Sequence, residues 1–203
     1  MRVPARPRAA ALAAAVAVAV VALAGCSAGG GTGTGSGDDV PDQGYVSGDG
    51  SVTQWEPGDR QGPVEVAGSD FAGDPVDTAD WRGDVVVLNT WYAQCPPCRE
   101  EAPDLVAVAE DYADQGVHVL GINGVDDAGA AESFQDAFDV PYPSIDDREK
   151  RAVAALQGVV PIQATPTTVV LDREGHVAAR VVGLVEGSTL RALVDEVLAE
   201  DAP

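Results

Sequence analysis

The chain has 203 residues, 45% of them hydrophobic, which is room for one packed domain with appendages. Its formal net charge is −21, and without residues 1–25, which hold three arginines and no acids, nine basic residues face 33 acidic ones, a net of −24. A negative field of that strength repels phosphates and argues against any nucleic-acid partner.

The N-terminus reads as an export signal. Arg2, Arg6 and Arg8 make a positive start, and an Ala/Val/Leu run follows over 9–24. That run is shorter than the ~20 residues of a comfortable membrane span. It ends in "LAGC", Leu23 to Cys26, which resembles the bacterial lipobox. The resemblance implies cleavage before Cys26 and lipid on its sulfur, so that residues 1–25 are a signal peptide. The folded part is then held at the outer face of the cytoplasmic membrane, where disulfides persist. An ordinary secretory signal and a retained membrane anchor are the competing readings.

Residues 26–62 are dominated by Gly, Ser, Thr and Asp and are expected to form a flexible tether. About 35 such residues reach ~30–35 Å. Tyr45, Val46, Val52 and Trp55 are the apolar exceptions and offer some local order.

The domain is expected over 63–203. "PVEVAG" and the region around 74–76 predict a short hairpin, and "DTADWRGD" a turn. "VVVLNT" (85–90) is a continuous β-branched run, the pattern of a strand buried on both faces. A helix should start at Cys95 and Cys98 and run to about Asp114, with Pro103 inside it and Gly116 ending it. "VHVLGIN" (117–123) is a second buried strand. Strand, helix and strand in so short a span form a βαβ unit with parallel strands. A helix is expected over about 128–139, an extended link at "PYPSID", and a helix over about 148–157. "TTVVLD" and "HVAARVVG", split by "REG", predict an antiparallel hairpin. Ser188 is expected to N-cap a last helix burying Leu190, Leu193, Val194, Val197 and Leu198. The sum is an α/β fold with a mixed sheet.

"NTWYAQCPPCREEAP" (89–103) carries the chemistry. Zinc needs four ligands, and the mature chain adds only His118, His176 and Cys26 to Cys95 and Cys98, with no second cluster at ligand spacing. No metal and no cofactor is therefore expected. A structural disulfide closing so small a loop is worth only about 2 kcal/mol. A redox pair explains more of the pattern. Cys95 would sit at a helix N-terminus, where the dipole and unpaired amides favour the attacking thiolate. Cys98, one turn on, would resolve the mixed disulfide. Pro97 suits the first helical turn.

These residues resemble the active site of thioredoxin-fold proteins, and "VVVLNTWYAQCPPCREEAPDL" with "DWRGDVVVLN" and "ATPTTVVLD" resembles the membrane-tethered TlpA/ResA-type thiol–disulfide oxidoreductases over roughly 63–201. The resemblance implies a thioredoxin-like α/β fold with a central helical insertion. It makes Cys95 the exposed nucleophile and Cys98 the buried resolving thiol. Pro166 matches the cis-proline facing the pair, Thr165 offers backbone groups to a substrate, and Trp91 shields the site. Asn89 stands where thioredoxins often have a buried acid and cannot do that acid's proton work.

Pro96 and Pro97 remove amide donors from Cys95, and Glu100 and Glu101 add negative charge that Arg99 offsets in part. A thiolate so poorly stabilised gives a reducing couple. The expected function is reduction of disulfides in exported proteins, including, as the resemblance implies, apocytochrome c. Electrons would come from a transmembrane thiol carrier. Three alternatives stand beside it. One is a disulfide-forming oxidase of the same fold. Another is a peroxiredoxin-like thiol peroxidase, whose Thr-x-x-Cys spacing Thr90 does not meet. The third is a copper or haem chaperone, for which the mature domain has no methionine. The segment from Phe134 to Phe138 reads first as core and second as a substrate groove.

Overall fold

The structure, a computed structural model, describes residues 51–157 and 164–200. The expected signal peptide, Cys26 and most of the tether lie outside the described residues.

Eight strands and four α-helices follow one another along the described chain. They are β1 (Ser51–Gln54), β2 (Ala67–Ser69), β3 (Pro75–Asp77), β4 (Val85–Thr90), α1 (Pro96–Asp111), β5 (Val117–Asn123), α2 (Ala128–Ala137), β6 (Ser144–Asp146), α3 (Arg151–Ala155), β7 (Thr167–Leu171), β8 (Val177–Val182) and α4 (Gly187–Ala199). Six strands make one sheet in the order β1-β8-β7-β4-β5-β6, and β2 and β3 pair separately. β4, β5 and β6 run parallel, whereas β7 is antiparallel to both β4 and β8. The expected mixed sheet, its βαβ unit and its late hairpin are all present.

Period-2 geometry explains why β4 is buried throughout. Val85 and Val87 point into one core with Leu105 and Val108 of α1 and Leu190 and Val194 of α4. Val86 and Leu88 point into a second core with Leu120, Ile122, Leu171 and Leu156. Both faces of the sheet are thus covered, as parallel strands require. α4 buries Leu190, Leu193, Val194 and Val197 at its expected spacing, each worth roughly 1.5–3 kcal/mol relative to exposure.

Gly116 turns the chain from α1 into β5 at φ 72°, and a Cβ there would stand 2.6 Å from Asp84 Oδ1. Glycine takes that conformation without strain, and a Cβ there would have to displace the Asp84 carboxylate.

Four expectations are corrected. Residues 51–62, read as the end of the tether, belong to the fold. β1 pairs with β8, Val52 is 2% exposed, and the Arg60 side chain, 5% exposed, reaches Asp172 and Glu200 at the far end of the chain. Val52, the partly buried Trp55 and one buried cation order a stretch whose composition is that of a linker. "PYPSID" contains β6, which adds to β5 at the sheet edge because Ile145 fills the second core. The helix expected over 148–157 is only Arg151–Ala155, because the carboxylate of Asp147 accepts from the amides of Ala152 and Val153 and fixes the start. Ser188 does not cap α4. Glu186 is the N-cap residue and offers no side-chain bond, while the Gly187 amide is satisfied by Asp104 of α1 at 2.9 Å.

Candidate active site

β4 ends at Thr90, and the chain turns through Trp91–Gln94 into α1. Cys95 is the N-cap of that helix, with extended backbone (φ −75°, ψ 111°). Its Sγ accepts from the amide of Cys98 at 3.2 Å. The next two residues, Pro96 and Pro97, open the helix and carry no N–H, so this is the one amide aimed at the sulfur from the first three helical positions. Cys95 and Cys98 are joined as a disulfide with their Cα atoms 5.2 Å apart. The helix continues through Pro103 to Asp111.

The expected exposure of Cys95 is corrected. Cys95 is 1% and Cys98 2% exposed in this disulfide state. Both belong to a cluster with Trp91, Ala93, Ala102, Ala131 and Phe134. The covering comes from α2, whose apolar side lies over the turn. Trp91 packs 4.4 Å from Phe134, ring centre to ring centre, and its Nε1 donates to Ser144 Oγ at 3.2 Å.

Pro166 precedes β7, whose first residue pairs with Thr90. The Thr167 amide donates to Thr90 Oγ1 at 2.9 Å, and the Gly183 amide to the Pro166 carbonyl at 2.9 Å. The Thr165–Pro166 bond is cis. The pairing brings this loop to the end of β4 from which the redox turn departs. Pro166 is buried and Thr165 exposed. Thr165, Thr90, Trp91, Ile122 and Val125 line a cavity of about 300 Å³ beside the loop.

Asn89 is buried in the centre of the sheet and does not end a chain of contacts. Its amide nitrogen donates to Thr168 Oγ1 at 3.1 Å and to Glu101 Oε1 at 2.8 Å. Glu101 Oε2 accepts from the Val185 amide at 3.0 Å. The sequence reading placed Glu101 as charge near Cys95, but it is 1% exposed and points into the protein. Burial pushes its carboxyl up to about 7, against the two hydrogen bonds that lower it, with the charge of Asp104 adding a further rise. A buried acid thus stands beside Asn89, contributed by α1. A sequence signal for it existed. Cys98, Ala102, Leu105 and Val108 trace the buried stripe of α1, and Glu101 falls on that stripe.

The two histidines stand elsewhere. His118 stacks on Trp81, ring centres 4.7 Å apart, with Nε2 2.9 Å from Asp84, and His176 lies beside Asp172 and Glu174. Among the described residues no three His, Cys, Asp or Glu side chains gather as a metal site.

Comparison with known proteins agrees with this geometry. Residues 59–180 match the model of the AhpC/TSA family. Thiol-disulfide oxidoreductase ResA of Geobacillus thermodenitrificans is 30% identical over 129 residues, 64% of this chain and 72% of the relative. A secreted thiol-disulfide isomerase from Corynebacterium glutamicum has 31% identity and a TM-score of 0.69, covering 77% of this chain and 97% of that one. A DsbF homologue from Corynebacterium diphtheriae has 32% identity and a TM-score of 0.65, covering 76% and 98%. A disulfide at the head of the first helix of a mixed thioredoxin-like sheet, in a chain with these relatives, places the protein in the AhpC/TSA family, as a ResA-like thiol–disulfide oxidoreductase.

Proposed function

We propose that the protein reduces disulfides in exported polypeptides, at the outer face of the cytoplasmic membrane, anchored by lipid on Cys26. In the reduced form the Cys95 thiolate attacks one sulfur of a substrate disulfide. The substrate's other sulfur leaves with the electron pair and takes a proton. Cys98, deprotonated by Glu101 one helical turn along, then attacks Cys95 Sγ. The Cys95–Cys98 bond forms, and the second substrate thiol departs. A transmembrane dithiol carrier returns the pair to its reduced state. The exposed backbone at Thr165, beside Pro166, offers the incoming chain its hydrogen bonds, and Trp91 keeps water from the sulfurs.

The observation that carries the direction is the poverty of donors at Cys95. One amide reaches its sulfur, two prolines replace the next two, and the cluster around it is apolar. An anion there is poorly stabilised, so the dithiol form gives up electrons readily. Thr90, the one hydroxyl a peroxidase reading would use, is committed to the backbone of Thr167 in both directions. Equilibration with glutathione and dithiothreitol buffers tests the direction. A potential near that of thioredoxin supports a reductase, and one near the strongly oxidising end of the fold's range makes the protein a disulfide-forming oxidase.

A further inference from the structure

Cys95 stands where a loop meets a helix, yet it is 1% exposed. Its cover is assembled from separate parts of the chain. Trp91 comes from the redox turn, Phe134 and Phe138 from α2 and its end, and Phe71 from the turn between β2 and β3. The rings form a continuous row of tilted contacts, Trp91 to Phe134 at 4.4 Å and Phe134 to Phe138 at 4.7 Å. Arg99 closes it from outside. Its guanidinium lies 5.0 Å from the Phe138 ring and 5.7 Å from that of Phe134, and Nη1 donates to the Ala93 carbonyl at 3.3 Å. The residue after Cys98 therefore clips the redox helix, the turn before Cys95 and α2 together. At the other end of α2, Asp126 accepts from the Ala93 amide at 2.6 Å and from Asn123 Nδ2 at 2.8 Å. Beyond α2 the chain turns through Asp139 in the left-handed region, φ 52°.

The geometry points to Phe134, Phe138 and Arg99 as specificity-determining residues: their roof shields the oxidised pair from small thiols, so that a macromolecular dithiol is its reductant. This rests on the disulfide-exchange reading above. Reduction requires a donor thiolate to bond to Cys95 Sγ while the Cys95–Cys98 bond breaks and its electron pair stays on Cys98, which is protonated. A second donor thiolate then attacks the donor sulfur of the mixed disulfide. The donor leaves as its own disulfide, and Cys95 keeps the second pair. The first of these steps needs room at a sulfur that the roof covers. A small thiol has no contact surface to exchange for the stacking and apolar burial that opening disrupts. A folded partner covers the uncovered rings with its own apolar surface and so offsets that loss.

The test uses the whole oxidised protein and its Arg99→Ala and Phe138→Ala variants, both altered at positions outside the fully buried core. Reduction is followed in stopped flow with dithiothreitol and, separately, with a reduced thioredoxin. Each variant should speed reduction by dithiothreitol roughly tenfold or more, an activation difference of about 1.4 kcal/mol. The rate with thioredoxin should change far less, and in Phe138→Ala the equilibrium potential should stay where it was. Unchanged dithiothreitol rates in variants whose urea midpoints match the parent overturn the roof. So do rates that rise only in proportion to a shifted potential. A parent that exchanges with neither reagent overturns the exchange reading itself.

Discussion

The side-chain amide of Asn89 donates to the carboxylate of Glu101 at 2.8 Å, across the space between the central strand and the redox helix. That bond ties the strand to a buried acid of the helix, which shares its buried face with Cys98. In the proposed mechanism Glu101 is the proton acceptor for the resolving thiol. Replacing it by glutamine keeps the volume and removes the base. At pH 7, Glu101→Gln should lower kcat/KM for a peptide disulfide by about 10²-fold, the scale of general-base catalysis. In the parent the rate should rise through pH 7 as the carboxyl ionises, and in the variant that inflection should vanish. A glutamine variant that keeps the parent's profile removes Glu101 from the mechanism.

The same carboxyl makes stability depend on pH. Burial raises it from 4.5 to about 7 in the folded protein, so the native state holds this proton more tightly than the unfolded chain. The stability it contributes is whole below pH 4.5 and is lost as pH climbs through 7. The loss approaches about 3 kcal/mol. Urea unfolding of the oxidised parent and of Glu101→Gln at pH 4.5, 6 and 8 isolates the contribution. The difference between the two should change across this interval with that sign, and a constant difference would contradict the burial assigned to Glu101.

Covalent trapping separates the two cysteines. Mixed with a disulfide peptide, Cys98→Ser should accumulate an adduct at Cys95, read as a mass increase equal to one peptide half. Cys95→Ser should accumulate far less, because the remaining sulfur lies inside α1 rather than at its N-cap. Equal adduct formation by both variants would reverse or abolish the assigned roles.

β1 supplies a test of where the fold begins. A chain starting at Ser51 should unfold at the same urea concentration as one carrying all residues after 25. A chain starting at Pro63 loses Val52, the β1–β8 ladder and the Arg60 pairs, and should unfold at a clearly lower concentration. Arg60→Ala alone leaves Asp172 and Glu200 facing each other without their cation, and should cost about 1–3 kcal/mol. Matching midpoints for the two truncated chains would return residues 51–62 to the tether.

Much of the frame was readable before any coordinates. Strands 85–90 and 117–123 are buried on both faces, so their apolar runs needed no periodicity to be recognised. The pairing of Cys95 with Cys98 was legible because spacing, prolines and the preceding strand all agree. What was hidden depended on tertiary partners. The stretch 51–60 offers Val52, Trp55 and Arg60 in polar surroundings, and its meaning appears only when β8, Asp172 and Glu200 are beside it. Ser188 is a good cap by propensity, but Asp104 from another helix already serves the amide next to it. The family resemblance implied an exposed Cys95, and its cover comes from residues up to 43 positions downstream. Glu101 was within reach, since it falls on the stripe of α1 that the apolar residues already marked.

The entry of the chain at β1 has a mechanical consequence. Strand order puts β8 and β7 between β1 and β4. A force applied to the residues before Ser51 loads the edge ladder with β8 and, through Arg60, the loop after β7 and the end of α4. It does not load the turn that carries Cys95. Tension along the leading segment is taken up three strands from the sulfurs, and the geometry of bond exchange is insulated from it.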